Sequence, residues 1–310
     1  MPEFLGLLKG VIDSPDIPLN VSRSYLQSDA SVKKITNYIT RKVADKLNSI
    51  FKNERENLES KWNDIKVVIE YGMLTEDKFY DKAESFNLYP TVDDKYFTYE
   101  ELEKKIKKLQ TDKDGNLIIL YAQNRDEQYT YIESAKEKGY EVLLLDSPII
   151  PHLMQKLESK KEKIKFSRVD SDTLENLIKK DEEVISKLTD EEKEKLKPMI
   201  ETAVENEKYT VQLEALDSNS MPFMLAQPEF MRRMKEMQQT GGGAMGNLPD
   251  MYSLIVNTNH ELVGKILNTR TEKKRNSLIK QSVDLAKLSQ NNLTGKDLTE
   301  FINRSIDLIK

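Results

Sequence analysis

Three short apolar runs, at 117–122, 142–145 and 164–169, are separated by amphipathic helical patterns near 126–138 and 149–158, and no other feature restricts the fold of this 310-residue chain so tightly. Runs of this length read as buried strands and the intervening patterns as crossovers, which gives βαβαβ, a small parallel sheet with right-handed connections. Such a unit invites a nucleotide-binding reading. The sequence argues against it, because neither a G-x-G-x-x-G fingerprint nor a P-loop follows any of the three runs. Asp112-Lys113-Asp114-Gly115 resembles the start of a calcium loop, but its later ligands and closing glutamate are missing, so a plain turn is expected.

Upstream the period changes to that of helices. Val32, Ile35, Ile39, Val43, Leu47 and Ile50 recur at spacings of three and four, predicting a helix from Ser28 or Asp29 to about Asn53 with one core face. A second helix is expected over 54–71, ended by Gly72 as its C-cap, and a third from Thr75 or Glu76 toward Phe86. Trp62, the only tryptophan, stands on the second helix among Ile65, Val68 and Ile69. It reads either as a core residue or as a binding anchor, and an aromatic so flanked is more often buried.

Ahead of these helices lies SPDIPLNVSRSYLQ, residues 14–27. Pro15 and Pro18 hold it extended, and Asn20 and Ser22 are candidate N-caps. With a helix starting near Ser22, Arg23 and Gln27 share a face and Asn20 sits beside amides that lack intrahelical partners. A guanidinium fork at a helix N-terminus suits a phosphate, although an ordinary helix-start arginine has the same chemistry.

The runs Pro2-Glu3-Phe4-Leu5, Lys9-Gly10-Val11-Ile12-Asp13-Ser14, Asp16-Ile17-Pro18-Leu19-Asn20-Val21-Ser22-Arg23 and Leu26-Gln27 closely resemble the middle-domain signature of the 90-kDa heat-shock chaperones. The resemblance implies that Arg23 reaches the terminal phosphate of ATP held, with Mg, by an N-terminal ATPase domain, and that Asn20 and Gln27 support that catalytic loop. It extends through YGMLTEDKFYDKA and the α/β module, with which family middle domains end. The chain opens inside this motif, so it is expected to be a fragment that neither binds nor hydrolyses ATP by itself.

A polar stretch, 170–183, is expected to be a hinge or exposed linker between a middle-domain part, 1–172 (helices over 22–86, α/β module over 116–169), and a dimerisation domain, 173–310. Beyond it come a helix over 190–206, a β run over 209–216 and a turn at 217–220. Seven of the 11 methionines then cluster at 221, 224, 231, 234, 237, 245 and 251. Phe230, Met231, Met234 and Met237 recur at helical spacing, with Arg232, Arg233, Lys235 and Glu236 on the other side. This face reads either as core or as an adaptable surface for varied partners, beside the glycine-rich loop 241–246. In the family the corresponding helix contacts client proteins, which by resemblance adds Met224 to the candidate client-binding set.

A strand at 252–257 leads into Asn257-Thr258-Asn259-His260, which also resembles the family, with His260 as a capping or packing residue. Two closing helices, over 271–289 and 296–309, carry apolar residues Leu278, Val283, Leu285 and Leu288, then Leu298, Phe301, Ile302, Ile306 and Leu308. Such a hairpin alone would leave apolar faces wet, so pairing with its copy in a homodimer is expected, as in the family. The last residues, Asp307-Leu308-Ile309-Lys310, show no acidic docking tail, which favours a bacterial-type member.

Composition narrows the classes further. With 48 basic against 53 acidic side chains and a net charge of −5, nothing points to nucleic acid. Zero cysteines removes thiolate chemistry, disulfides and cysteine-held metals, and the two histidines, His152 and His260, have no ligand spacing. No window nears the roughly 18 uninterrupted apolar residues of a membrane span, and the start has no signal-peptide pattern, so a cytoplasmic chain is expected. The fold class expected is mixed α+β and α/β: a helical segment, a three-stranded βαβαβ module, and an α+β dimerisation domain ending in a helical hairpin. The resemblance implies part of an ATP-dependent clamp for unfolded or partly folded clients. The alternative is a non-enzymatic interaction module whose methionine helix binds a partner.

Overall fold

The computed structural model describes residues 2–6, 30–181, 184–204, 209–241 and 251–309. They belong to two compact units, residues 1–107 with 143–163, and 108–142 with 164–310.

The first unit is mainly helical. Helix α1 (Ala30–Asn53) is followed by α2 (Arg55–Ser60), α3 (Trp62–Thr75) and α4 (Asp77–Ala83). The helix expected over 54–71 is thus broken at Lys61, and Gly72 is not its C-cap but lies inside α3. The reason is steric. A Cβ on Gly72 would sit 2.7 Å from Phe4 Cδ2 and 2.8 Å from the Phe79 ring, and those two rings pack with centroids 4.6 Å apart. The glycine therefore serves close approach rather than a positive φ, and the helix runs on until Glu76 turns extended. Trp62 is completely buried, in agreement with its core reading.

A small hairpin, β1 (Tyr89–Pro90) with β2 (Tyr96–Phe97), precedes α5 (Tyr99–Ile106). This helix begins with a capping box, Thr98 accepting from the Glu101 amide at 3.3 Å and Glu101 from the Thr98 amide at 2.9 Å. The T-x-x-E signature stands in the sequence. Arg55 ties α2 to this segment through Glu101 at 2.5 Å and the Tyr96 carbonyl at 2.8 Å. Helix α7 (Ile150–Lys160) completes the unit, its Lys156 donating to the Leu74 carbonyl at 3.1 Å near the end of α3.

In the second unit β3 (Leu117–Ala122) and β5 (Ile164–Arg168) pair in parallel, from Leu117 opposite Ile164 to Tyr121 opposite Arg168. With β4 (Val142–Leu144), whose first residue belongs here, they form a sheet in the order β4-β3-β5, and α6 (Tyr129–Glu137) follows β3. Every residue of β3 is buried, as both faces of a parallel sheet require. Asp112 makes a turn and not a cation loop: its carboxylate accepts from the Asp114 amide at 3.0 Å and from the Asn116 amide at 2.7 Å.

The stretch after β5 departs from expectation. Asp170, Ser171, Thr173 and Ile178 are buried around the short helix α8 (Leu174–Leu177), so 170–178 is not an exposed connector. Ser171, Thr173 and Asn176 are hydrogen-bonded within the fold. Asn176, for one, donates to Glu214 at 2.9 Å.

Helix α9 (Asp190–Val204) leads to a second sheet of β6 (Tyr209–Glu214), β7 (Phe223–Ala226) and β8 (Tyr252–Asn257) in the order β6-β8-β7. Strand β8 runs parallel to β6 and antiparallel to β7. Val211, Phe223, Leu225, Leu254 and Val256 face one core, into which α9, α11 (Glu261–Asn268) and α12 (Glu272–Ser289) pack. Met224 pairs with Ile255 and, by the period of two along a strand, faces the opposite side. His260 caps α11, its Nδ1 accepting from the Leu262 amide at 3.0 Å. Asn257 pins the preceding turn, donating to the Asp217 carbonyl at 2.7 Å and accepting from the Leu216 amide at 3.2 Å. Helix α10 (Glu229–Gly241) lies between β7 and β8 in sequence, and α13 (Gly295–Ile309) closes the chain. The mixed fold expected from the sequence is the fold observed.

Candidate functional site

Arg23, Asn20 and Gln27, the candidate phosphate group, lie outside the described residues, as does the loop 242–246. The chemistry that the structure does place is on α10 and on the closing pair of helices.

Helix α10 is amphipathic in an inverted sense. Phe230 is 72% exposed, whereas Arg232, on the side opposite the methionine face, is only 4% exposed. Met231, Met234 and Met237 are half-buried on the same helix, while Met224, 9% exposed, sits on β7. The structure therefore keeps four of the five candidate client residues on one helix and puts the fifth in a strand.

Arginine is buried there because its charge is matched. The Glu229 carboxylate accepts from Tyr121 Oη at 2.7 Å, Arg232 at 2.6 Å, Arg233 Nε at 2.7 Å and the Arg168 amide at 3.1 Å. Arg232 also meets the Tyr121 hydroxyl and pairs with Glu236 at 2.5 Å. Arg233 donates to the Phe166 carbonyl at 2.5 Å. Arg168 forks onto Asp170 at 2.5 and 3.0 Å and reaches Gln123 at 3.0 Å. Three arginines face three carboxylates, so the cluster is neutral. Burial alone would lift the Glu229 carboxyl, but the charges of Arg232 and Arg233 outweigh it and bring it down to about 2. The same carboxylate charges hold Arg232 protonated against burial.

Sequence reading missed this cluster. Its signal was the spacing Glu229, Arg232, Arg233, Glu236, which lines charges of alternating sign along one helix face. That pattern usually marks a wet face; only the Tyr121 hydroxyl and Arg168 from the sheet make it a buried one.

The closing helices α12 and α13 are antiparallel, with Arg304 against Asp284, Gln281 donating to Ser305 at 2.8 Å and Lys287 3.9 Å from Asp297. Their candidate residues separate into two groups. Val283 and Leu278 pack into the sheet core, Phe301 is buried and Leu298 is half-buried. Leu285, Leu288, Ile302 and Ile306 are between 41% and 47% exposed. On each helix the exposed pair is three or four residues apart, hence on one face. Gln290, at the end of α12, fixes the hairpin to the unit by donating to Tyr131 Oη at 3.2 Å, to the Asp170 carbonyl at 3.2 Å and to the Leu225 carbonyl.

No group of His, Asp or Glu among the described residues is arranged to hold a metal ion, and none of the described helices is long and apolar enough to cross a membrane.

The profile of the Hsp90 protein family matches residues 1–305. The chain is 43% identical to the chaperone protein HtpG of Bacteroides thetaiotaomicron over all of its own length and 56% of that protein's. It is 52% identical to HtpG of Bacteroides fragilis over 86% of the chain and 40% of the relative, and 46% identical to HtpG of Porphyromonas gingivalis over 93% and 43%. The chain thus spans about half, or less, of the length of these relatives.

Proposed function

Since the chain belongs to the Hsp90 protein family, we propose that it forms part of an ATP-dependent cytoplasmic chaperone that closes as a homodimeric clamp on unfolded or partly folded client proteins. In this reading the α12–α13 hairpin supplies the dimer face and α10, with Phe230 outward and Met231, Met234 and Met237 beside it, supplies a client face. Arg23, supported by Asn20 and Gln27, stabilises charge on the γ-phosphate of ATP, as an arginine finger does. The nucleotide and its Mg are held by a part of the whole protein outside this chain. The family division into a middle-domain part, 1–172, and a dimerisation domain, 173–310, belongs to the same proposal and cuts the chain elsewhere than its compact units do.

The observation that supports it most is the exposed apolar face of Leu285, Leu288, Ile302 and Ile306 on a hairpin otherwise fixed by packing and hydrogen bonds. Four such residues on adjoining helices are what a four-helix dimer seam consumes. In the whole protein, Arg23→Ala is expected to depress ATP turnover at least tenfold while leaving dimerisation intact. Unchanged turnover would remove the phosphate role. Calorimetric titration of this chain alone should show no nucleotide binding, and micromolar binding would contradict the placement of ATP outside it.

A further inference from the structure

A cavity of about 350 Å³ opens in the second unit, between α6, the stretch after β5, the turn that follows β6, and β7. Its volume falls near the low end of the roughly 300–1,000 Å³ typical of small-ligand sites. It holds one or two side chains, not a folded surface. The walls are chemically split. Leu216, Met221 and Met224 give an apolar part with two deformable thioethers, and Tyr131 adds an aromatic one. Glu137, Asp172, Glu175 and Asp217 bring four carboxylates, against which Lys138 is the one cation of the lining.

That lysine does not neutralise the site. Its ammonium is 2.8 Å from Glu175, leaving three acidic charges in excess. Asp172 is held by hydrogen bonds from the Thr173 amide at 2.7 Å and Asn176 Nδ2 at 3.0 Å, neither of which brings a charge. Asn176 also serves Glu214 at 2.9 Å, so two carboxylates share one neutral amide. Burial pushes the Asp172 carboxyl above its ordinary range, with the Asn176 and Thr173 hydrogen bonds and the charge of Lys179 opposing only in part. The walls are built and not incidental: Asn257 fixes the Leu216–Asp217 backbone, and Tyr131 is tied to Ser289 at 3.3 Å.

We propose that this cavity binds a short peptide segment in which a lysine or arginine stands next to an apolar residue. The apolar neighbour and the aliphatic stem lie on Met221, Met224 and Leu216, and the charged head meets Asp172 and Asp217. Long basic side chains carry both chemistries, an apolar stem and a cationic tip. Through Met224 the assignment rests in part on the client-binding reading, but it is distinct from the exposed face of α10. It adds a preference for sign of charge, which the methionine face of α10 does not supply.

The test uses the 310-residue chain and two fluorescein-labelled peptides of one length, in which leucines are interspersed with arginines in the first and with glutamates in the second. Anisotropy titration should show the arginine peptide bound at least tenfold more tightly, with the difference shrinking as salt is raised. Asp172→Asn with Asp217→Asn should remove most of that preference. Met221→Lys, at a half-buried lining position, should do so by placing a cation in the cavity, and it serves where the asparagine pair fails to fold. Phe230→Ser should weaken both peptides alike, through the client face on α10, and so leave the ratio of their affinities unchanged. Equal binding of the two peptides, or a preference untouched by either cavity variant, overturns the proposal. Loss of binding in Phe230→Ser with no effect of the cavity variants would overturn it while supporting the client face on α10, and loss in the cavity variants alone would do the reverse.

Discussion

Helices α10 and α12 reach a similar outcome by opposite physics. Helix α12 turns Ile279, Val283 and Ala286 into an apolar core and leaves Leu285 and Leu288 outside. Helix α10 turns Glu229 and Arg232 inward, onto Tyr121 and Arg168, and leaves Phe230 outside. The difference lies in how attachment and availability are coupled. An apolar face used for anchoring is unavailable for binding, whereas a helix anchored by matched ions leaves Phe230 exposed and Met231, Met234 and Met237 half-buried. Buried ion pairs are weak sources of net stability, because desolvation offsets most of the attraction. Here the pairing fixes which side of α10 faces in.

The comparison breaks most readily at Arg232. Replacing it with alanine leaves Glu229 with Arg233 alone and Glu236 with Arg168 at 3.7 Å, and breaking a buried pair costs at most about 3–5 kcal/mol. Chemical denaturation should show the loss, together with faster amide exchange along α10. Phe230→Ser on the same helix should alter stability by no more than about 0.5 kcal/mol, as exposed substitutions do. Equal effects of the two would mean that the ions are not the anchor.

Acidity sharpens the contrast between regions. Glu229, held near 2 in the fold, contributes stability in full above its ordinary value of 4.5 and loses it as pH falls from there through about 2. Glu70, on α3 in the first unit, behaves oppositely. Burial lifts its carboxyl to about 7, with Ser147 and Lys66 opposing only in part. Between 4.5 and 7 the folded chain keeps a proton that the unfolded chain has released, so stability falls as pH rises through that window, by about 3 kcal/mol in total. Glu70→Gln should flatten the dependence of the melting temperature on pH between 5 and 8, and an unchanged slope would exclude Glu70 as its source.

Smaller is the effect expected at Gly72. Alanine there gains roughly 1 kcal/mol of helix propensity, but its methyl group meets two packed rings closer than 3.0 Å. Overpacking of this kind costs typically 1–3 kcal/mol. The variant should therefore be less stable by about 1 kcal/mol in thermal unfolding, whereas a glycine acting as a mere break in the pattern would make it more stable.

Much of this was legible in the sequence. The three strands of the first sheet, the strand Tyr252–Asn257 and both closing helices fall where periodicity placed them, since each buries a continuous apolar face. Trp62 and His260 also took their structural roles. Gly72 misled because a glycine that ends a helix and one that admits an aromatic ring look alike until Phe4 arrives from the far end of the segment. The strand Phe223–Ala226 is four residues long and buried throughout, too short to display a period, and α5 is an eight-residue helix marked by its capping box rather than by a long apolar stripe. At α10 the charges were visible but their partners, Tyr121 and Arg168, come from more than 60 residues away. Local pattern cannot tell a wet ionic face from a buried one.

The central claim, that the apolar residues left open on the closing hairpin join two copies of the chain, is tested most directly by sedimentation velocity at micromolar concentration. The wild-type chain should sediment at twice its 35.9 kDa mass, and Leu288→Asp with Ile306→Asp should sediment as a folded monomer. A wild-type chain that stays monomeric, or a double variant that stays dimeric, would contradict it.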